Sequence, residues 1–349
     1  MKSQNKNSKS TFLKKIFIKF CRFFNFEIID QSNLYLPVAD KFINEELSTI
    51  GNKSLTIPMG IINITRPVRS LDIILRTCAS VNMLSQSKKR LFDEEKSEYT
   101  LRTLNSIINS INYSKKIFQK FNLKITIIDH NSEDKIINQI KILLENQFFK
   151  SEIINLKIEN FKDQIKNINQ QNKKVTTNQI SNMSNIHQSL MIAKECNDLI
   201  YFVEDDYIHS INSIKEMILT YEKLSSQLKQ ELILCPTDYP YLYNKADNSR
   251  IFLGHKYHWR QIDESLCTFL TSNIIIKKHW EKFTSVCKFE HYPFEKPFHE
   301  IYKKELCLSP IPSLAIHCTN INSVYGLSPF IDYKKLWDEN RLTNAKNKY

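Results

Sequence analysis

The sequence predicts an α/β protein built on one mostly parallel sheet with helices on both faces. Short β-branched apolar runs alternate along the chain with segments whose apolar residues recur at helical spacing. Polar clusters follow directly on the strand-like runs: Thr65-Arg66-Pro67-Val68-Arg69, Asp129-His130-Asn131-Ser132, Glu204-Asp205-Asp206 and Pro236-Thr237-Asp238. Sheets of this class bind ligands at the carboxyl ends of their strands, where such clusters fall. A chain of 349 residues, 42% of them hydrophobic, suffices for one such domain with an extension at each end.

Residues 1–10 read as a polar, basic arm. In residues 11–24, Phe12, Ile16, Phe20 and Phe23 fall at helical spacing, and Lys14, Lys15 and Arg22 lie elsewhere around the helix. A basic amphipathic helix of this kind either lies on an anionic membrane surface or docks on the body of the protein. Its lysines and the lack of a small-residue cleavage site exclude a signal peptide. No stretch approaches the ~18 uncharged apolar residues of a spanning helix. Residues 55–65 read as a first buried strand. A helix over 71–78 follows, with Ser70 as N-cap and Leu71, Ile74, Leu75 and Cys78 on one face. The spacing then predicts a helix over 99–111, a strand over 124–128 ending at Asp129, a helix over 134–148 and a helix over 185–196. The strand 199–203 ends at the acidic triplet. A helix over 211–229, a strand over 231–235, a strand-like segment 266–276, a helix over 277–287 and a strand-like piece 311–317 complete the pattern. The expected organisation is a basic arm and amphipathic extension (1–54), the α/β domain (55–320) and a C-terminal appendage (321–349). In the appendage, Tyr325, Leu327, Phe330 and Trp337 are expected to clamp the domain or cover its site.

Composition excludes several classes. The four glycines, Gly51, Gly60, Gly254 and Gly326, are too far apart to build a P-loop or a dinucleotide-binding fingerprint. A bound nucleotide must therefore be held by carboxylates, a metal and side chains. The eight cysteines contain no C-x-x-C pair, so they read as free thiols in a reducing compartment and not as a zinc site. The formal net charge is +12, and seven basic residues precede the first acid, Glu27. The arm of residues 1–10 lacks interleaved aromatics and any known module, so no nucleic-acid partner is expected.

Three adjacent carboxylates after a buried strand repel one another and are costly to desolvate. Mg²⁺ or Mn²⁺, which takes oxygen ligands from one or two carboxylates and substrate phosphates, relieves that cost. A solvated acidic turn is the plain alternative. With Asp129-His130-Asn131-Ser132 closing an earlier strand, this order of motifs resembles the GT-A glycosyltransferases, in particular family 2, over residues 57–320. The resemblance implies the GT-A fold, a nucleotide-sugar donor and a metal cofactor. It implies that Asp129, with Asn131 and Ser132, contacts the nucleoside. It assigns Asp206 to the metal, Glu204 to the metal or ribose, and Asp205 to the nucleotide-facing set in a different orientation. It makes His317, late in the domain, a third metal ligand; a hydrogen-bonded core histidine is the alternative.

Thr65, Arg66 and Arg69 depart from the family's usual turn, and the guanidinium groups of the two arginines suit a phosphate or an acidic sugar. An inverting transferase needs a carboxylate near the acceptor hydroxyl; the candidates are Glu295, Glu300 and Asp238, with Asp263 and Glu264 behind them. Trp259 and Arg260 read either as sugar and phosphate contacts or as a packed aromatic with a structural arginine. The expectation is thus transfer of a sugar to a glycan or lipid-linked hydroxyl, in the cytoplasm or at the inner face of a membrane. The alternatives are a nucleotidyltransferase that makes the nucleotide-sugar, which usually carries a Gly-rich loop, and a non-enzymatic membrane-surface protein.

Overall fold

The computed structural model describes residues 11–26, 47–56, 60–80, 90–119, 121–244, 249–319, 321 and 323–342. Helix α1 (Thr11–Phe23) is followed by the hairpin β1 (Lys53–Thr56) and β2 (Gly60–Asn63). The domain continues through β3 (Ser70–Thr77), α2 (Lys96–Tyr113), α3 (Lys115–Phe118), β4 (Asn122–Asp129), α4 (Asp134–Leu144) and β5 (Lys150–Asn155). Next come α5 (Thr177–Glu195), β6 (Leu199–Glu204), β7 (Tyr207–His209), α6 (Ser213–Leu228), β8 (Leu232–Leu234) and α7 (Tyr241–Asn244). The chain then runs through β9 (Ile251–Leu253), β10 (His258–Gln261), β11 (Phe269–Ser272), α8 (Asn273–Lys278), α9 (Trp280–Lys288) and α10 (Lys296–Tyr302). It closes with β12 (Leu306–Ile311), β13 (Ala315–His317) and α11 (Tyr333–Glu339).

Nine strands form one sheet in the order β5-β4-β3-β6-β11-β8-β12-β10-β9. Seven of them run in one direction, and β11 and β10 run against them. This is the α/β architecture with a mostly parallel sheet that the alternation predicts. Residues alternate between two apolar layers. Leu71, Ile73 and Leu75 of β3 and Leu199, Tyr201 and Val203 of β6 face α2, α4 and α6. Ile74 of β3 and Ile200 and Phe202 of β6 face α5, α9 and α10. Burial on both faces makes these strands continuous apolar runs, each buried leucine or isoleucine contributing about 2 kcal/mol.

That double burial explains the main errors of the sequence reading. The first strand of the sheet is Ser70–Thr77, not a helix over 71–78. A short run buried on both faces has no period to distinguish strand from helix. Residues 55–65 do not form a buried strand of the sheet: β1 and β2 pair with each other, Lys53 opposite Asn63, as a separate antiparallel ribbon. The expected boundary at 54/55 falls inside β1, and residues 57–59 lie outside the described set. Segment 266–276 divides into β11 and α8, and 311–317 into the ends of β12 and β13.

The C-terminal segment is tied to α2. Trp337 stacks on Phe92 with 4.3 Å between ring centroids, and Arg102 lies 4.1 Å over the indole. Arg102 also donates to the Trp337 carbonyl at 2.7 Å, and Asn105 to that of Asn340 at 3.0 Å. Phe330, by contrast, is exposed.

Candidate active site

The chain order of the sheet reverses between β3 and β6, so a crevice opens beyond their carboxyl ends. Residues from β3, β4, β6 and the N-terminal turns of α2 line it. Thr77 lies opposite Asp129 in register, and Arg76 opposite Glu204.

The most consequential feature lies just beyond β6. There β7 leaves the sheet and pairs with β13, His317 opposite Tyr207. This ribbon brings together two residues distant in sequence: His317 Nε2 lies 3.4 Å from Asp206 Oδ2. Thr319 donates to the same oxygen at 2.6 Å. Asp206 Oδ1 is buried and has no hydrogen-bond partner. On the far side of the imidazole, Nδ1 is 3.1 Å from the carbonyl of Tyr325. A carbonyl only accepts, so Nδ1 carries a proton and Nε2 faces the carboxylate. Burial opposes charge on both groups, but each outweighs that cost for the other. His317, with Lys96 and Thr319, holds the Asp206 carboxyl well below the usual carboxylate range. The Asp206 carboxylate and the Tyr325 carbonyl hold His317 above the ordinary histidine value.

The other two carboxylates of the triplet have partners of their own. Asp205 bonds Lys96 Nζ, accepts from Thr100 Oγ1 at 2.9 Å and from the backbone N–H of Cys78 at 3.2 Å. Burial works against the charge on Lys96, but Asp205 and Asp206 outweigh it and keep the ammonium above its ordinary value. Glu204 Oε1 lies 3.0 Å from Arg76 Nη2, and Arg76 is anchored in turn on Asn182 Oδ1 at 3.0 Å. The repulsion that the triplet implies in sequence is therefore relieved by protein cations: Arg76, Lys96 and His317. Of the three expected metal ligands, two converge, and Glu204 turns instead to Arg76. Among the described residues no group of three or more His, Cys, Asp or Glu side chains forms a ready metal cage. The pair that does converge suits a divalent ion once Nε2 gives up its proton: Asp206 presents an unbonded buried oxygen, and the Nδ1–carbonyl bond orients the neutral ring for ligation through Nε2.

Asp129 is 4% exposed and already engaged. Its Oδ1 accepts from Thr77 Oγ1 and Ser132 Oγ, both at 2.6 Å, and Oδ2 accepts from the N–H of Ser132 at 3.1 Å. Asn131 takes a left-handed φ of 61° at the tip of this turn and is exposed. Asp129 and Ser132 thus tie the ends of β3 and β4 together beside the crevice.

Thr65, Arg66 and Arg69 are not part of the crevice. They precede β3, about 25 Å from its carboxyl end at the rise of an extended chain. Arg66 pairs with Asp198 and with Glu231 at 2.9 Å, residues that precede β6 and β8. The N–H of Arg69 also donates to Asp198, at 2.6 Å, and that of Thr65 to Ser226 Oγ at 3.0 Å. These residues lock the amino ends of the strands, which corrects the phosphate-binding expectation.

Two of the expected bases are committed elsewhere. Asp238 is 1% exposed and bonded to Arg260 and to the Tyr243 hydroxyl. Glu300 lies on the outer side of α10 and pairs with Lys282. Glu295 immediately precedes α10; burial first, then the charges of Glu264 and Glu295, raise the phenol of Tyr325 above its ordinary value. The hydroxyl of Tyr325 is 3.3 Å from Glu264 Oε2. Trp259 is wholly buried, packed so closely on Gly254 that a Cβ there would come within 2.4 Å of the indole. It and Arg260 are packing residues, not ligand contacts.

Sequence reasoning missed Arg76, Lys96, Thr319 and the tyrosines around His317. Arg76 carried one usable signal, a cation at the last turn of an otherwise apolar run. Lys96 and Thr319 carried none, because their role arises only from the tertiary meeting of α2 and β13 with the triplet.

No family model and no curated protein matches the chain. Solved structures to which it is similar include the glycosyltransferase GlyE of Streptococcus pneumoniae TIGR4, at 9% identity and TM-score 0.42 over 80% of this chain and 62% of that one. S. aureus TarS 1-349 is similar at 9% identity and TM-score 0.37, over 69% and 57% of the two chains. A UDP-glucose pyrophosphorylase complexed with UDP-glucose is similar at 7% identity and TM-score 0.34, over 80% and 100%. The chain thus spans less than two thirds of GlyE and of TarS 1-349. With every one of these TM-scores below 0.5, the functional reading rests on the site itself.

Proposed function

We propose that this protein is a GT-A-type glycosyltransferase that takes a sugar from a nucleoside diphosphate sugar to a hydroxyl acceptor on a glycan or lipid-linked molecule. The observation that carries the reading is the Asp206–His317 pair at the carboxyl edge of the sheet, with a buried carboxylate oxygen that nothing else bonds. Asp206 and His317 would hold Mn²⁺ or Mg²⁺, which when bound neutralises charge on the leaving diphosphate. Thr319 fixes the Asp206 carboxylate, and the Tyr325 carbonyl fixes the imidazole. Lys96 and Arg76 place positive charge beside the crevice, where a diphosphate's oxygens gain most from fixed donors. Asp129 and Ser132 shape the turn against which the nucleoside rests. Glu295, which immediately precedes α10, is assigned the role of taking the acceptor's proton.

The test is calorimetric titration of nucleoside diphosphates with and without Mn²⁺, on the native chain and on Asp206→Asn. Binding of one diphosphate that needs Mn²⁺ and disappears in Asp206→Asn is the expected result, with unchanged thermal unfolding as the control for folding. Failure of the native chain to bind any of them overturns the reading.

A further inference from the structure

Helix α1 exposes an apolar face that a folded domain would ordinarily cover. Ile16, Phe17, Phe20 and Phe23 follow the spacing of one helix face, Phe24 follows in the turn just beyond it, and Phe17, Phe20 and Phe23 are 58%, 59% and 81% exposed. Phe20 and Phe23 each meet Phe24 edge-on, at 5.1 and 5.3 Å, so the rings form one contiguous patch. At 100° per residue Lys19 falls at the edge of that face, beside Phe23, and Arg22 on the far side, and both are exposed. The sequence of α1 contains Lys14 and Lys15 as well and no acid at all. An apolar face of large aromatics flanked only by cations complements the surface of a bilayer with anionic headgroups. A protein partner's apolar groove would satisfy the rings but gives no reason for four cations without one acid. No helix among the described residues is long and apolar enough to cross a membrane.

We infer that α1 is a membrane-surface anchor: it lies in the plane of an anionic bilayer with Phe17, Phe20 and Phe24 among the acyl chains and Lys19 and Arg22 at the headgroups. The inference is independent of the transferase reading, because none of these residues belongs to the crevice.

The experiment is co-sedimentation of the full chain with two vesicle preparations, phosphatidylcholine alone and phosphatidylcholine with about a third phosphatidylserine. Two variants are compared with the native chain: Phe17→Ser/Phe20→Ser/Phe24→Ser, and Lys19→Gln/Arg22→Gln. Thermal unfolding verifies that both fold. The expected result is pelleting with the phosphatidylserine vesicles only, weakened by raised salt. It falls at least tenfold in each variant, because each loses one of the two attractions on which surface binding depends. Equal pelleting by native chain and variants, or none by the native chain, overturns the inference. So does concentration-dependent self-association without lipid that the phenylalanine variant abolishes, which would assign the patch to a second copy of the chain.

Discussion

The imidazole of His317 lies flat against the ring of Tyr207, with 4.8 Å between centroids and 21° between planes, while its Nε2 faces Asp206. The stack, the Tyr325 carbonyl and Thr319 leave the ring one orientation. In this arrangement His317→Ala should weaken Mn²⁺-dependent diphosphate binding about tenfold or more, equivalent to ~1.4 kcal/mol. Tyr207→Leu, which keeps the volume but loosens the stack, should weaken it less. Calorimetry on both variants measures the difference; equal affinity in the native chain and His317→Ala would contradict the ligand assignment.

Lys96 is the only cation bonded to Asp205 among the described contacts, and the pair is largely shielded from water. Lys96→Met should therefore cost about 3–5 kcal/mol in urea unfolding, the cost of stranding a buried charge. Adding Asp205→Asn should recover much of that loss, since the stranded charge is then gone. A double variant no more stable than Lys96→Met would show that the lysine acts through packing.

Arg66 tests the corrected part of the sequence reading. Its ion pairs with Asp198 and Glu231 hold the amino ends of β6 and β8. Arg66→Ala should lower stability by about 3 kcal/mol and leave the diphosphate affinity of the folded protein unchanged. Loss of affinity at unchanged stability would return Arg66 to the binding site.

His209 sets a pH dependence. Burial pushes its pKa down to about 3, and its ring nitrogens bond Ser106 Oγ at 3.1 Å and the Tyr201 hydroxyl at 2.7 Å. The folded state keeps this histidine neutral where the unfolded chain, near 6.5, binds a proton. Unfolded molecules therefore bind more protons between about pH 6.5 and pH 3, and stability contributed by His209 is complete above that window and falls as pH drops through it. The loss reaches at most about 5 kcal/mol at the acid end. Urea midpoints measured from pH 7 to pH 4 should fall more steeply in the native chain than in His209→Gln; parallel curves would show that His209 does not carry the effect.

Much of this site was legible in sequence because strand ends announce themselves. Asp129 and the triplet were found where apolar runs give way to acid, and His317 by its order in the chain. The helix assigned to 71–78 was the costly error. Had Ser70–Thr77 been read as a strand, Arg76 and Thr77 would have fallen beside Glu204 and Asp129 by register alone. Lys96 was beyond reach: it sits in a charged stretch with no periodic signal, and only the packing of α2 over the crevice gives it a partner. The arginines after residue 64 show the opposite failure. Their residue type fitted phosphate, but direction along a strand, not composition, decides which edge of a sheet a residue reaches.

With His317 protonated, as its contact with Asp206 favours, Glu204, Asp205 and Asp206 each meet their own cation, and these six side chains then present dipoles and no net charge to the solvent. The field of such an arrangement dies away within a few ångströms, far faster than that of an isolated acidic triplet. A distant anion is therefore not repelled by the acids that await it. Its approach is governed by the surplus of basic residues elsewhere in a chain whose total formal charge is +12. Arrival should slow as salt screens that surplus, while the grip of the crevice, made over single bonds between shielded groups, should change little.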